Sequence, residues 1–191
     1  TYDKIHLLSA RSLPCPIEKT FVLEDLQHLG YKMADRCKGL DLDHCKVSVR
    51  ALAKLHAMSL KLRENDPKMM DVYKESFYRD DCETKDKIKL HFDMNMKTLA
   101  SKVEQWQGYE HFADKIRKLI PTAPEFMVEQ VKPRQGGFNV LNHGDCWVNN
   151  MLFHYCPDTG KVDGVRLIDF QIARLSSAAL DLQYFICTSP N

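Results

Sequence analysis

The stretch Leu141-Asn142-His143-Gly144-Asp145-Cys146-Trp147-Val148-Asn149-Asn150-Met151-Leu152-Phe153 decides how the chain folds. Its polar residues stand in an apolar frame, between the strand-like runs Phe138–Leu141 and Met151–Tyr155. A second such place is Leu167-Ile168-Asp169-Phe170-Gln171, where a carboxylate ends the apolar run Val162–Ile168. A carboxylate directly after such a run is costly to bury unless it meets a cation or hydrogen-bond donors. Pro157-Asp158-Thr159-Gly160 reads as the loop of a hairpin between 151–155 and 162–168. That pairing sets the start of one strand beside the end of the other, so Asn150 and Asp169 meet at the end away from the loop. An amide oxygen and a carboxylate at one spot suit a hard cation such as Mg²⁺, with waters and phosphate oxygens completing its shell. Asp145, in the loop before Asn150, is expected to face the same point and orient a hydroxyl nucleophile.

Outward from this segment the pattern is mainly helical. Asp41 or Asp43 caps a helix that ends near Asn65-Asp66-Pro67, with Cys45, Val49, Leu52, His56 and Leu60 as its buried stripe. A second helix carries Ile88, Phe92, Met96, Leu99, Val103 and Trp106 on one face and stops at Gly108. Shorter helices are expected over 110–120 and 124–131, and a last one over 177–188. Residues 5–9 and 20–24 read as short strands, and Leu13-Pro14-Cys15-Pro16 between them as a loop or turn. His56, on a core stripe, reads as a satisfied core histidine. Asp181 reads as structural, tying down the loop after Asp169.

Composition narrows the function classes. The 191 residues are 44% hydrophobic and 28% charged, enough apolar material for a globular core. With 27 basic and 26 acidic residues the net charge is +1, so no broad nucleic-acid surface is implied. The longest run without Asp, Glu, Lys or Arg is Cys146–Pro157, too short to span a bilayer. Seven cysteines at irregular spacings, without a C-x-x-C, point to reduced thiols and a cytoplasmic setting. Cys146, Cys156, His143 and His154 lack the spacing of a zinc site. Asn142-His143-Gly144-Asp145 lacks the further His and Asp ligands that a two-metal phosphatase needs.

The pattern H-x-D-x-x-x-x-N over His143–Asn150, followed by a strand ending in Asp169-Phe170, resembles the catalytic apparatus of the protein-kinase-like fold. His143-Gly144-Asp145 is similar to the aminoglycoside and choline phosphotransferase branch. Phe21-Val22-Leu23-Glu24-Asp25-Leu26 resembles the hinge of the ecdysteroid-kinase-like (CHK kinase-like) family, and Leu52-Ala53-Lys54-Leu55-His56-Ala57 its next helix. The segments 141–150 and 168–171, and Asp181-Leu182-Gln183-Tyr184-Phe185, match the same family.

The resemblance implies an α+β kinase-like fold. Residues 1–26 would be the last strands of the small lobe and the hinge, and 27–191 the helical lobe carrying the catalytic hairpin. It implies ATP and Mg²⁺ as cofactors, and a hydroxyl of a small molecule as acceptor, an ecdysteroid or another lipophilic alcohol. Asp145 would be the catalytic base with His143 bracing the loop, and Asn150 and Asp169 would hold Mg²⁺. Backbone groups of Glu24, Asp25 and Leu26 would meet the adenine edge. The family's phosphate-covering lobe is expected before residue 1 and the end of its helical lobe after residue 191. The 191 residues alone are accordingly expected to be poorly soluble and inactive. The alternative is a non-catalytic kinase-like binding domain. A protein Ser/Thr kinase fits less well, because Gln171 stands where D-F-G has its glycine and no Arg precedes Asp145.

Overall fold

The structure, a computed structural model, describes residues 8–74 and 82–191, with backbone alone over 82–85. Two units divide the chain: Thr1–Tyr73 with Arg134–Asn191, and Lys74–Pro133.

In the first unit, β1 (Ser12–Leu13) pairs antiparallel with β2 (Val22–Leu23). The segment 13–16, expected to be wholly turn, therefore begins as strand, and Pro14 ends it by removing a ladder donor. Residues 8 and 9 lie in a turn, not a strand; the rest of the strand expected over 5–9 falls outside the described residues. A 3₁₀ turn over Leu26–Leu29 follows, with Asp25 as its cap. Next come β3 (Lys32–Met33) and the long helix α1 (Leu42–Asn65).

Asp41 caps α1 by accepting from the N–H groups of Asp43 and His44 at 3.1 and 3.0 Å. The Pro67 stop holds as read. The buried stripe differs: Ser48, Ala51, Leu52, His56 and Ser59 are buried, whereas Val49 is 40% exposed. Two small hydroxyls can be inside because each bonds a backbone carbonyl, Ser48 Oγ to His44 O and Ser59 Oγ to His56 O.

After residue 134 come β4 (Asn139–Asn142), β5 (Met151–Tyr155), β6 (Val162–Leu167), β7 (Arg174–Ser177) and α5 (Ala179–Thr188). β5 and β6 form the expected hairpin, Met151 opposite Leu167, and β3 adds to the free edge of β5. β4 pairs antiparallel with β7, Asn139 opposite Ser177 and Asn142 opposite Arg174. β7 is a strand that the sequence reading did not assign, and it ends at Ser177, so the last helix starts two residues later than expected. Helix plus small antiparallel sheets is the α+β class that the sequence implies. Leu40, Leu52, Cys146, Val148, Met151, Phe153, Leu167 and Phe185 form the core between α1, the hairpin and α5. Large apolar side chains of this kind each stabilise by about 1.5–3 kcal/mol when fully buried. His44 packs edge-on to Phe153 at 4.9 Å and bonds the Tyr155 hydroxyl at 3.0 Å, joining α1 to the hairpin.

The second unit holds α2 (Cys82–Val103), α3 (His111–Leu119) and α4 (Ala123–Gln130). Ile88, Ala100 and Val103 are buried as a helical stripe, but Leu99 and Trp106 are 45% and 52% exposed, so the expected face is rotated. Arg117 of α3 reaches Glu104, Nη2 to Oε2 at 2.6 Å, and Asp114. Among the described residues no helix is long and apolar enough to cross a membrane.

Candidate active site

The loop between β4 and β5 is fixed before any ligand is considered. Asp181, fully buried at the start of α5, accepts from the N–H of His143 at 2.8 Å and of Gly144 at 2.9 Å. His56 Nε2 lies 2.9 Å from the same carboxylate, and Asn142 Oδ1 accepts from the Asp181 N–H. His56 is thus the satisfied core histidine the sequence led one to expect. Asp181 is structural as well, but it holds the loop before Asn150, not the one after Asp169.

Gly144 has φ +87°, and a Cβ there would lie 2.4 Å from the Ile172 carbonyl oxygen. Only glycine lets the two loops approach this closely.

His143 is buried and braces both loops. The Asp145 N–H donates to His143 Nδ1 at 3.3 Å, so the ring proton sits on Nε2, which donates to Ile168 O at 2.8 Å. Desolvation is the main influence on the imidazole and holds its pKa below the ordinary 6.5, against the opposing pull of the Ile168 bond and of Asp181. The ring is a neutral strut between two loops. Burial also pushes the Cys146 thiol well up, which suits a core side chain.

Asp145 is half-buried and held by two donors. Asn150 Nδ2 donates to Asp145 Oδ2 and to its backbone oxygen, each at 2.9 Å. Tyr184 of α5 donates its hydroxyl to Asp145 Oδ1 at 2.8 Å. Asn150 is buried, and its amide nitrogen is engaged by Asp145. On the neighbouring strand the Ile168 N–H donates to Asn150 O at 3.0 Å, which carries the β5–β6 register one step past the ladder. Asp169 follows at once, in the left-handed region at φ +65°. That conformation costs a non-glycine residue of order 1 kcal/mol, least for Asn and Asp, and turns Asp169 out of the strand line. Its exposed carboxylate has one long contact, from Gln171 Nε2 at 3.4 Å.

The hinge candidates meet Asp169 in one cleft. A hollow of about 630 Å³ is lined by Leu23, Glu24, Asp25, Leu26, Met33, Leu152, Ile168 and Asp169, among others. An adjoining hollow of about 640 Å³ shares Leu23, Ile168 and Asp169 and adds Phe21, Tyr73 and Phe170. The Glu24 N–H is taken by Arg11 O at 2.8 Å, and Leu26 O accepts from the Tyr31 N–H at 3.1 Å. Among the described residues, nothing takes the Glu24 carbonyl or the Leu26 N–H, one acceptor and one donor on a short span.

Among the described residues no group of three or more His, Cys, Asp and Glu gathers as a metal cage. The pair Asn150 and Asp169 offers hard oxygen donors, an amide and a carboxylate, and Asp169 lines both hollows. Such a set fits Mg²⁺, which keeps waters and phosphate oxygens in its shell. Tyr184 is the residue of this region that the sequence reading passed over. Its only sequence signal was its place three residues after Asp181, on the same side of a helix.

Neither the curated proteins nor the solved structures contain a match to this chain. The family model described as the ecdysteroid kinase-like family matches residues 5–191. That is nearly the whole chain, and it spans the Glu24–Leu26 segment, both loops and Asp181 alike. The chain belongs to the ecdysteroid kinase-like family, and with it to the phosphotransferase type of enzyme.

Proposed function

We propose that this protein transfers a phosphoryl group from ATP to a hydroxyl of a small molecule, an ecdysteroid or a related lipophilic alcohol. The observation that carries the proposal is the meeting of Asp169 with the Glu24–Leu26 segment in one cleft, beside a loop that presents Asp145 and Asn150. The cleft's apolar walls, Leu26, Met33, Leu152 and Ile168, suit a flat base, and the Glu24 carbonyl and Leu26 N–H, which no described residue takes, suit its hydrogen-bonding edge. Asn150 and Asp169 would hold Mg²⁺, which when bound neutralises charge on the phosphate oxygens. Asp145 orients the acceptor hydroxyl and takes its proton as the bond to phosphorus forms. His143 stays neutral and keeps the two loops in register; it moves no proton.

The test is Asp145→Asn in the protein, with ATP, Mg²⁺ and an ecdysteroid acceptor. Nucleotide binding should persist while turnover falls roughly 10²–10⁴-fold, the usual worth of a positioned general base. Turnover within about threefold of wild type would remove the assignment.

A further inference from the structure

The two oxygens of Asp145 are held by different parts of the fold. Oδ2 is bound by Asn150, the residue proposed to help hold the metal. Oδ1 is bound by the hydroxyl of Tyr184 at 2.8 Å, and Tyr184 belongs to α5, 39 residues further along the chain. The base of α5 is fixed against this same loop through Asp181, which receives the His143 and Gly144 N–H groups. Tyr184 is therefore aimed by an anchor three positions before it, on the same helix face. Tyr184 is 38% exposed and does not belong to the buried core, and its hydroxyl takes the Asp145 oxygen that Asn150 does not.

We infer that Tyr184 is a positioning residue for the phosphotransfer proposed above: it holds Asp145 Oδ1 toward the acceptor, while Asn150 fixes Oδ2 toward the metal. This inference rests on that reading. Each carboxylate oxygen can accept two hydrogen bonds. Oδ1 therefore retains one acceptor site for the substrate hydroxyl, with its direction set by the Tyr184 bond. Without Tyr184, Asp145 keeps only the Asn150 contacts and can turn about its χ2. The cost then falls on alignment in the reacting complex, and nucleotide affinity, which depends on the other side of the carboxylate, is spared.

The experiment measures Mg²⁺-dependent ATP hydrolysis, with water as acceptor, and transfer to an ecdysteroid. Tyr184→Phe should lower kcat roughly tenfold, the scale of one lost hydrogen bond to a charged group. KM for ATP should not change, and Tm should stay within about 2 °C, since an exposed site loses no core packing. A merely structural tyrosine would give unchanged kcat in Tyr184→Phe, and a kcat within about twofold of wild type overturns the inference. If Asp145→Asn also keeps wild-type turnover, it is the phosphotransfer reading that fails. A thermal-unfolding cycle of Tyr184→Phe, Asp145→Ala and the double variant then decides the pairing on its own, and additive Tm shifts would overturn it.

Discussion

His56 and Asp181, 125 positions apart in the chain, meet in a buried hydrogen bond of 2.9 Å. The contact ties the middle of α1 to the start of α5 at the point where Asp181 also receives the His143 and Gly144 N–H groups. One carboxylate, wholly excluded from solvent, thus satisfies three donors from two elements. Such a group is stabilising only while every partner stays in place.

Asp181→Asn should therefore be severe although it changes little in size. The amide puts N–H groups where acceptors are needed and leaves a buried donor unpaired. A loss of about 3 kcal/mol is expected, or roughly 6–12 °C in Tm for a chain of this length. Thermal unfolding followed by circular dichroism measures it, and a shift below about 2 °C would show that the network is not under the load described.

The proposed metal pair should separate by degree. Asp169→Ala should abolish Mg²⁺-dependent nucleotide binding, whereas Asn150→Ala should weaken it less, because a carboxylate holds Mg²⁺ more strongly than an amide. Asn150→Ala should in addition lower kcat, since Asn150 also steadies Asp145. Calorimetric titration of ATP at several Mg²⁺ concentrations gives the first comparison. Identical Mg²⁺ dependence in Asp169→Ala and wild type would contradict the assignment.

Gly144→Ala pits a Cβ against the Ile172 carbonyl at 2.4 Å, in a backbone conformation at φ +87°. Strain and clash together should cost about 3 kcal/mol or more. Gly160 supplies the comparison: its φ is +67°, but nothing lies within 4 Å of a Cβ there, so Gly160→Ala should cost only about 1 kcal/mol. Urea unfolding of the two variants should differ in that order. Equal costs would mean that the β4–β5 and β6–β7 loops can part without penalty.

A dependence on pH follows from His143. Its pKa in the folded chain is held below the ordinary 6.5, so the unfolded chain takes up the proton first as pH falls. Stability from this residue is complete above about 6.5 and is lost progressively as pH drops toward the lower folded value. His143→Gln, which can still donate to Ile168 O, should be less stable than wild type at pH 7.5, with the gap narrowing at pH about 5.5. Chemical unfolding at both pH values reads the gap directly; a constant difference would count against a neutral, buried His143.

The hairpin was legible in the sequence because its signals are local: two apolar runs, a Pro-Asp-Thr-Gly loop, and a register that follows from the pairing. That register, with Met151 opposite Leu167, is what brings Asn150 and the start of the Asp169 loop together. The capping of α1 by Asp41 was local too. What escaped depends on contacts between distant parts. β7 has no sequence signal of its own, because Arg174-Leu175-Ser176-Ser177 shows no alternation, and only pairing with β4 makes it a strand. In the buried stripe of α1, Leu52 and His56 were read from the sequence, but Ser48 and Ser59 are buried where Val49 and Leu60 were expected, since hydropathy cannot see that these serines carry their own backbone partners. Ser59 also accepts from the Leu141 N–H at 2.9 Å, a role that no hydropathy scale contains. Tyr184 reads as an ordinary surface aromatic until α5 is docked beside Asp145.

The pairing of β4 with β7 outside the pairing of β5 with β6 has a further consequence. In the vocabulary of nucleic-acid secondary structure, residues 139–177 are a stem, an internal loop and a terminal stem. Both strands of the internal loop, 143–150 and 168–173, are clamped at each end by a ladder. His143, Asp145, Asn150 and Asp169 all lie in it. Four of the residues proposed for the chemistry thus come from one contiguous stretch of chain, which Asp181, Tyr184 and the Glu24–Leu26 segment join from outside it. The same clamping means that a deletion or insertion of one residue in either strand of the internal loop cannot be absorbed by slippage, because slipping either ladder by one would turn its buried side chains outward.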